Sequence, residues 1–109
     1  MKRGELWTIS GGSGLAGKPR PAVIVQDNAF AEVPSVVVCP FTTSEDDPFF
    51  FRILIEPSAR NGLRAPSRVM ADKIAALPRS RLGRRLGTLT GAEMEQVDGI
   101  LIIFLGLAG

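Results

Sequence analysis

GGSGLAGKPRPAVIVQ, residues 11–26, joins a glycine-rich loop directly to a run of apolar residues. Four glycines (Gly11, Gly12, Gly14, Gly17) and two prolines (Pro19, Pro21) bracket Lys18 and Arg20. Glycine reaches backbone conformations closed to other residues, so the first half reads as a loop able to approach a ligand closely. Ala22 to Val25 is apolar without alternation, as in a strand buried on both faces. Arg20 stands where the loop enters that strand, carrying a charge that burial does not easily remove. An arginine fixed there suits an anion. A hairpin loop with a surface arginine fits these residues equally well.

Outward from this stretch, the chain reads as a succession of short strands. Glu5 to Ile9 is the first, with Trp7 and Ile9 on one face and Leu6 on the other. Ser35 to Phe41 (SVVVCPF) is a third strand, apolar throughout, and ends at three hydroxyls, Thr42, Thr43 and Ser44. The acidic turn Glu45-Asp46-Asp47-Pro48 follows. Phe49 to Ile55 reads as a fourth strand and Asn61-Gly62 as a turn. Ser67 to Leu77 holds at least one more strand, centred on Arg68 to Ala71, and Arg84 to Leu89 is another.

The one helix comes last. Thr90 is placed as an N-cap with Glu93 three residues on, a capping box. Met94, Val97, Leu101 and Phe104 repeat at helical spacing. From Ile100 to Leu105 apolar residues run all the way round, so this end needs cover from the sheet or from a second copy of the chain. Short strands followed by one C-terminal helix predict a mainly β, α+β domain: a small, strongly curved antiparallel barrel spanning 1–109.

Composition narrows the chemistry. The chain has 109 residues, 45% of them hydrophobic, and a formal charge of +2, which is a single globular domain with only a mild basic excess. It contains no histidine, so the usual general base and metal ligand are missing. Cys39 is the sole cysteine and excludes an internal disulfide or a multi-cysteine zinc site. No metal and no cofactor is expected. The N-terminus lacks a signal-peptide core, and the apolar stretch 99–108 is too short to span a bilayer, so the chain is expected in the cytoplasm.

Charge is clustered. Between Arg60 and Arg85 stand eight cations against one anion, Asp72, a local balance of +7. Such clustering fits a phosphate-rich partner, and equally a solvated face. The hydroxyls of Thr42, Thr43 and Ser44 could bind phosphate oxygens or cap the turn that follows.

Five segments together carry a family resemblance: RGELW (Arg3 to Trp7), GSGLAGKPRPAVIVQ, VCPFTTS (Val38 to Ser44), SRVMADKI (Ser67 to Ile74) and LGRRLGTLTGAEMEQVDGILIIFLGL. They resemble the MazF/PemK toxins of type II toxin–antitoxin modules. The resemblance implies an SH3-like barrel of the CcdB/MazF type that dimerises and cuts single-stranded RNA without metal. A cognate antitoxin protein would hold it inactive. By that match Arg20 and Thr42 are the expected catalytic pair, with Lys18, Thr43, Ser44 and Arg68 as further substrate contacts. A gyrase-poisoning toxin of the same fold and a non-catalytic RNA-binding barrel are the rival expectations.

Overall fold

Seven strands, Glu5–Ile9 (β1), Arg20–Ile24 (β2), Ser35–Thr42 (β3), Arg52–Ile55 (β4), Ser67–Met70 (β5), Ala75–Pro78 (β6) and Leu82–Thr88 (β7), precede one helix, Gly91–Phe104 (α1). The computed structural model describes residues 1–10, 18–46 and 50–109. The glycine loop 11–17 and the start of the expected fourth strand, Phe49, lie outside the described residues. All pairings are antiparallel, in the order β4-β5-β3-β2-β1-β7 with β6 added to β3.

Strand β3 sets the curvature. One edge pairs with β2, Ala22 opposite Pro40 and Ile24 opposite Val38. The other edge is shared, β6 taking its first half (Val38 opposite Ala75) and β5 its end (Phe41 opposite Val69). Pro40, with no N–H to donate, sits in the gap between the two. A 3-10 turn at Ala71–Lys73 separates β5 from β6, so the segment 67–77, expected to hold at least one strand, holds two with a bend between them. No ladder joins β4 to β7 among the described residues. The sheet is therefore open, and the loop after β4 spans the gap instead. There the Arg60 carbonyl accepts from the Thr88 N–H at 3.0 Å. Asn61, 1% exposed, holds that loop: its Oδ1 accepts from Ser58 and Leu63 N–H, and its Nδ2 donates to the Glu56 carbonyl. A Cβ at Gly87 would lie 2.1 Å from the Arg60 carbonyl oxygen, so glycine is what permits this approach.

Strand alternation sends side chains to two cores. Leu6, Val23, Cys39, Phe41 and Val69 meet Met94, Val97 and Leu101 of α1 in the larger one. Ala22, Ile24, Val36 and Val38 meet Leu77 and Leu82 on the other face, with Trp7 and Ile9 packed alongside. The helix begins as its sequence predicts. Thr90 Oγ1 accepts from the Glu93 N–H and the Glu93 carboxylate accepts from the Thr90 N–H. It ends at Gly106, φ +73°, where the N–H groups of Gly106 and Leu107 donate to the carbonyls of Ile103 and Ile102. Met94 lies against Gly4 and Asp98 pairs with Arg3, so α1 closes the end of the curved sheet where β1 starts.

Two polar clusters tie the ends of the sheet. Arg52, 8% exposed, makes a two-pronged pair with Asp72, at 3.1 Å and 2.8 Å. That guanidinium holds the Asp72 carboxyl below its ordinary range. Burial alone would raise the Glu5 carboxyl. Hydrogen bonds from the Lys2 N–H, the Trp7 indole and Arg85, with the N-terminal ammonium nearby, outweigh it and lower Glu5 to about 2.

Two outcomes follow for stability. Asp72→Ala leaves a buried guanidinium without its carboxylate and should cost about 3 kcal/mol in urea unfolding. Asp72 and Glu5 titrate below their unfolded values, so their stabilisation is full above the ordinary carboxylate range and fades as pH falls. For Glu5 the window runs from 4.5 down to about 2. Melting temperature measured across that window should fall less steeply for Glu5→Gln than for the unsubstituted chain.

Candidate functional site

At the end of the sheet opposite the helix, β1 and β3 finish and β2 and β5 begin. Register aligns one residue from each strand there. Ile9 pairs with Arg20, Thr42 with Arg68, and Arg68 with Leu54. Continuing the β2–β3 register two positions beyond Ala22 and Pro40 sets Arg20 opposite Thr42. Directly opposed residues share a face, so Arg20, Thr42 and Arg68 form one row, a hydroxyl flanked by two guanidinium side chains. All three are half-buried, with Thr43 and Lys18 exposed beside them.

Thr42, Thr43, Ser44 and Arg68 also line one small cleft of about 200 Å³, together with Glu45, Leu54 and Glu56. Four of the six expected site residues therefore converge on it. Arg20 stands one strand away in the row, and Lys18 lies two residues before it, in the exposed approach to β2. The hydroxyls cap the turn as well as face the cleft. Thr42 Oγ1 accepts from the Ser44 N–H at 3.1 Å, and Ser44 Oγ from the Asp46 N–H at 3.3 Å. A hydroxyl that accepts such a bond still has its proton to donate, so both can bind an anion.

The cluster of cations between Arg60 and Arg85 divides in the structure. Arg79 donates to the Val33 and Phe30 carbonyls, Arg81 to the Ser10 carbonyl, and Arg85 to Glu5. These are fasteners between segments. Among the described residues, Arg20, Arg60, Arg64, Arg68 and Arg84 have no side-chain partner. Arg20, Arg64, Arg68 and Arg84 of this set stand at the end of the sheet away from the helix, so the available charge is concentrated there.

A second, larger cleft of about 640 Å³ opens at the same end on the other face of the strands. Two positions beyond the core residues Leu6, Val23, Phe41 and Val69 stand Thr8, Pro21, Thr43 and Ser67, and all four line it. Each strand thus replaces its core side chain by a small or polar one, and the core stops short of the rim. Leu63, Arg64, Arg84 and Leu86 complete the walls. The sequence reading missed this cleft, as well as Glu45 and Glu56. The detectable signal was the period-two change from apolar to hydroxyl or proline at four strand ends.

Cys39 is buried, and burial with the nearby Asp72 charge pushes its thiol up to about 12, so it stays protonated. No group of three carboxylate or thiol side chains converges among the described residues. Beside the carboxylates of Glu45 and Glu56, the site offers guanidinium groups and hydroxyls, which suit binding and stabilising a phosphate.

Comparison with known proteins agrees with that chemistry. The family described as PemK-like, MazF-like toxin of type II toxin–antitoxin system matches residues 2–105. The chain is 44% identical over 109 residues to a probable endoribonuclease MazF of Mycolicibacterium smegmatis, covering all of both chains. It is 29% identical to endoribonuclease MazF9 of Mycobacterium tuberculosis, over 98% of each. A solved endoribonuclease from a mycobacterial species, in complex with its cognate antitoxin, superposes with a TM-score of 0.81 at 30% identity. That match covers 98% of this chain and 96% of the other.

Proposed function

The chain belongs to the PemK-like, MazF-like toxins of type II toxin–antitoxin systems, and from that premise we propose that it is an endoribonuclease toxin cutting single-stranded RNA without a metal ion. The observation that carries this reading is the row of Arg20, Thr42 and Arg68 across three neighbouring strands. RNA supplies its own nucleophile. The 2′-oxygen attacks the adjacent phosphorus, the bond to the 5′-oxygen breaks, and the products are a 2′,3′-cyclic phosphate and a 5′-hydroxyl. The protein then has to hold the reacting atoms in line and stabilise the charge that gathers on the phosphoryl oxygens. A guanidinium presents paired donors matched to those oxygens, and Arg20 takes this role. Thr42 adds a hydroxyl donor to a second oxygen. Arg68, Thr43, Ser44 and Lys18 hold the flanking backbone. A site without histidine is adequate for this task because electrostatic stabilisation, not proton shuttling by imidazole, carries the largest share.

Partners follow from the surface. Ile102, Ile103, Phe104, Leu105 and Leu107 are 43 to 72% exposed, beside Phe50 at 73%. Phe51 packs on Phe104 and joins the two parts into one apolar surface. A contiguous patch of this kind fits a two-fold homodimer. The unpaired arginines suit an acidic, partly apolar antitoxin segment that competes with RNA, and the solved relative bound to its antitoxin supports such a partner. No helix among the described residues is long and apolar enough to cross a membrane. The cytoplasm, where messenger RNA is translated, is the proposed place of action.

Single-turnover cleavage of a short RNA in excess chelator tests the mechanism. Arg20→Ala should lose about two to three orders of magnitude in rate while its melting temperature stays close to that of the unsubstituted chain. Arg20→Lys should recover only part, because an ammonium lacks the paired donors. A folded Arg20→Ala protein cutting at the original rate would place the chemistry elsewhere. For assembly, light scattering at micromolar concentration should give twice the chain mass, and Ile103→Asp should reduce it to one.

A further inference from the structure

We propose that the carboxylate of Glu56 is the proton acceptor of the reaction, taking the hydrogen of the 2′-hydroxyl as its oxygen attacks phosphorus. The proposal rests on the ribonuclease reading above and deepens it. Its first support is placement. Leu54 opposes Arg68 and Arg68 opposes Thr42, so these three share a face. Glu56 lies two positions beyond Leu54, just past the end of β4, and lines the small cleft with Leu54, Thr42 and Arg68. A diagonal step of this kind across a strand pair is within reach of long side chains. Along the sheet the order is Glu56 after β4, Arg68 on β5, Thr42 on β3 and Arg20 on β2. The carboxylate and the Arg20 guanidinium therefore flank the Thr42 hydroxyl from opposite sides. An in-line displacement needs its attacking and departing oxygens on opposite sides of phosphorus, which is the arrangement this order suits.

The second support is charge. Glu45 and Glu56 face the small cleft with one cation, Arg68. Among the described residues neither carboxylate has a side-chain partner. Two carboxylates repel a phosphate, so the phosphate stays on the row with Arg20, Thr42 and Arg68. A ribose, uncharged and carrying hydroxyl protons, suits a space of about 200 Å³ walled by acceptors.

The third support is the set of groups able to take a proton. The chain has no histidine. The Cys39 thiol is buried and stays protonated, and a guanidinium is no acceptor. Asp72 is engaged by Arg52, and Glu5 by Arg85 and Trp7. Beside the row that leaves the two carboxylates of the cleft. Of these, Glu56 has the fixed backbone. Ile55 before it is 1% exposed, and its own carbonyl accepts from Asn61 Nδ2 at 2.8 Å. Glu45 belongs to a turn whose side-chain bonds run only within the turn itself. A group that must meet one proton in one geometry is best carried by rigid backbone. The 2′-oxygen gives its proton to Glu56, its bond to phosphorus forms, and the bond to the 5′-oxygen breaks. The departing oxygen takes a proton from water and Glu56 returns its own to solvent, so no net proton is consumed.

Single-turnover cleavage of a short RNA with one mapped cut site, followed across pH with the whole protein, tests the assignment. A carboxylate accepts a proton only when ionised. The rate of the unsubstituted chain should therefore fall about tenfold per pH unit at the acid end and level off above it. The charged groups facing Glu56, namely Glu45 from the turn after β3 and Arg68 from β5, set where it levels off. Glu56→Gln should lose about two to four orders of magnitude in rate. Its profile should keep rising through neutral pH, as hydroxide takes over from the carboxylate. Glu56 is exposed, so the melting temperature should not move. Glu56→Asp should keep the levelling-off at a lower rate. An RNA with sulfur in place of the departing 5′-oxygen needs no proton on its leaving group, so it should not rescue Glu56→Gln. Three results would each overturn the assignment and leave the ribonuclease reading standing. They are a folded Glu56→Gln protein with the original rate and profile, rescue of that variant by the sulfur substrate, and the altered profile appearing in Glu45→Gln instead. Failure of the unsubstituted protein to cut any RNA would overturn both.

Discussion

A strand that buries side chains on both faces cannot lie at the surface of a flat sheet, and β3 is such a strand. Val36 and Val38 need cover on one side, Cys39 and Phe41 on the other. One helix can shield one face only. The second face has to be covered by the sheet itself, which is what β6 and the start of β7 achieve when Leu77 and Leu82 reach the cluster around Ile24. The 3-10 turn at Ala71–Lys73 makes this possible by letting one chain segment follow two parts of the same edge in different directions. The pair of Arg52 with Asp72 then fastens that turn to the edge strand β4. Curvature is thus a consequence of burial on two faces, and the open end that it leaves becomes the site.

That open end explains why residues of the outer row and residues lining the cleft alternate along the chain. Consecutive residues of a strand point to opposite faces. Where the core continues, this separates two apolar clusters. Where the core stops, it separates an outer row from an inner cleft by a single residue step. Pro19, Arg20 and Pro21 show the pattern in three residues, a charged side chain between two apolar ones that face the other way. Rigid proline on either side restricts φ and leaves the guanidinium's direction to be decided by the strand. The row of Arg20, Thr42 and Arg68 is held by the same ladder that holds the fold, which is why it stands at strand ends rather than at loop tips.

The sequence showed the strands, the helix cap and the rim residues because each depends on local pattern. Thr90 and Glu93 form a capping box by their spacing alone. Apolar runs identify β2 and β3 whatever they pack against. Ser67 to Leu77 shows the limit: its composition reads as at least one strand without giving the number, and the division at Ala71 comes from sharing the edge of β3, a tertiary fact. The bridging of the gap between β4 and β7 was illegible for the same reason. Asn61-Gly62 reads as a hairpin turn, but the loop it builds is a bridge to β7, and Gly87, twenty-five positions beyond Gly62, is what admits it. At the rim, Arg20, Thr42 and Arg68 were singled out one by one, the first two as a pair by the family resemblance. Their alignment in one row needed the register, and the cleft behind them needed the knowledge of which strand ends meet.

Charge carries the last step from fold to function. A local excess of +7 in sequence looks like a uniform basic segment, yet three of its eight cations are already committed within the fold. Arg79 and Arg81 spend their donors on backbone carbonyls and Arg85 on Glu5, so their guanidinium groups are committed to holding the chain ends. Of the cations without side-chain partners among the described residues, Arg20, Arg64, Arg68 and Arg84 stand near the strand ends where the core is missing. An approaching polyanion therefore meets a field focused on the rim, and it meets there the groups able to bind it. Fixed donors facing a developing negative charge require no reorganisation when the reaction occurs, which is the source of their catalytic value. The division between committed and available arginines is thus what directs the charge of a mildly basic domain to one end of its sheet.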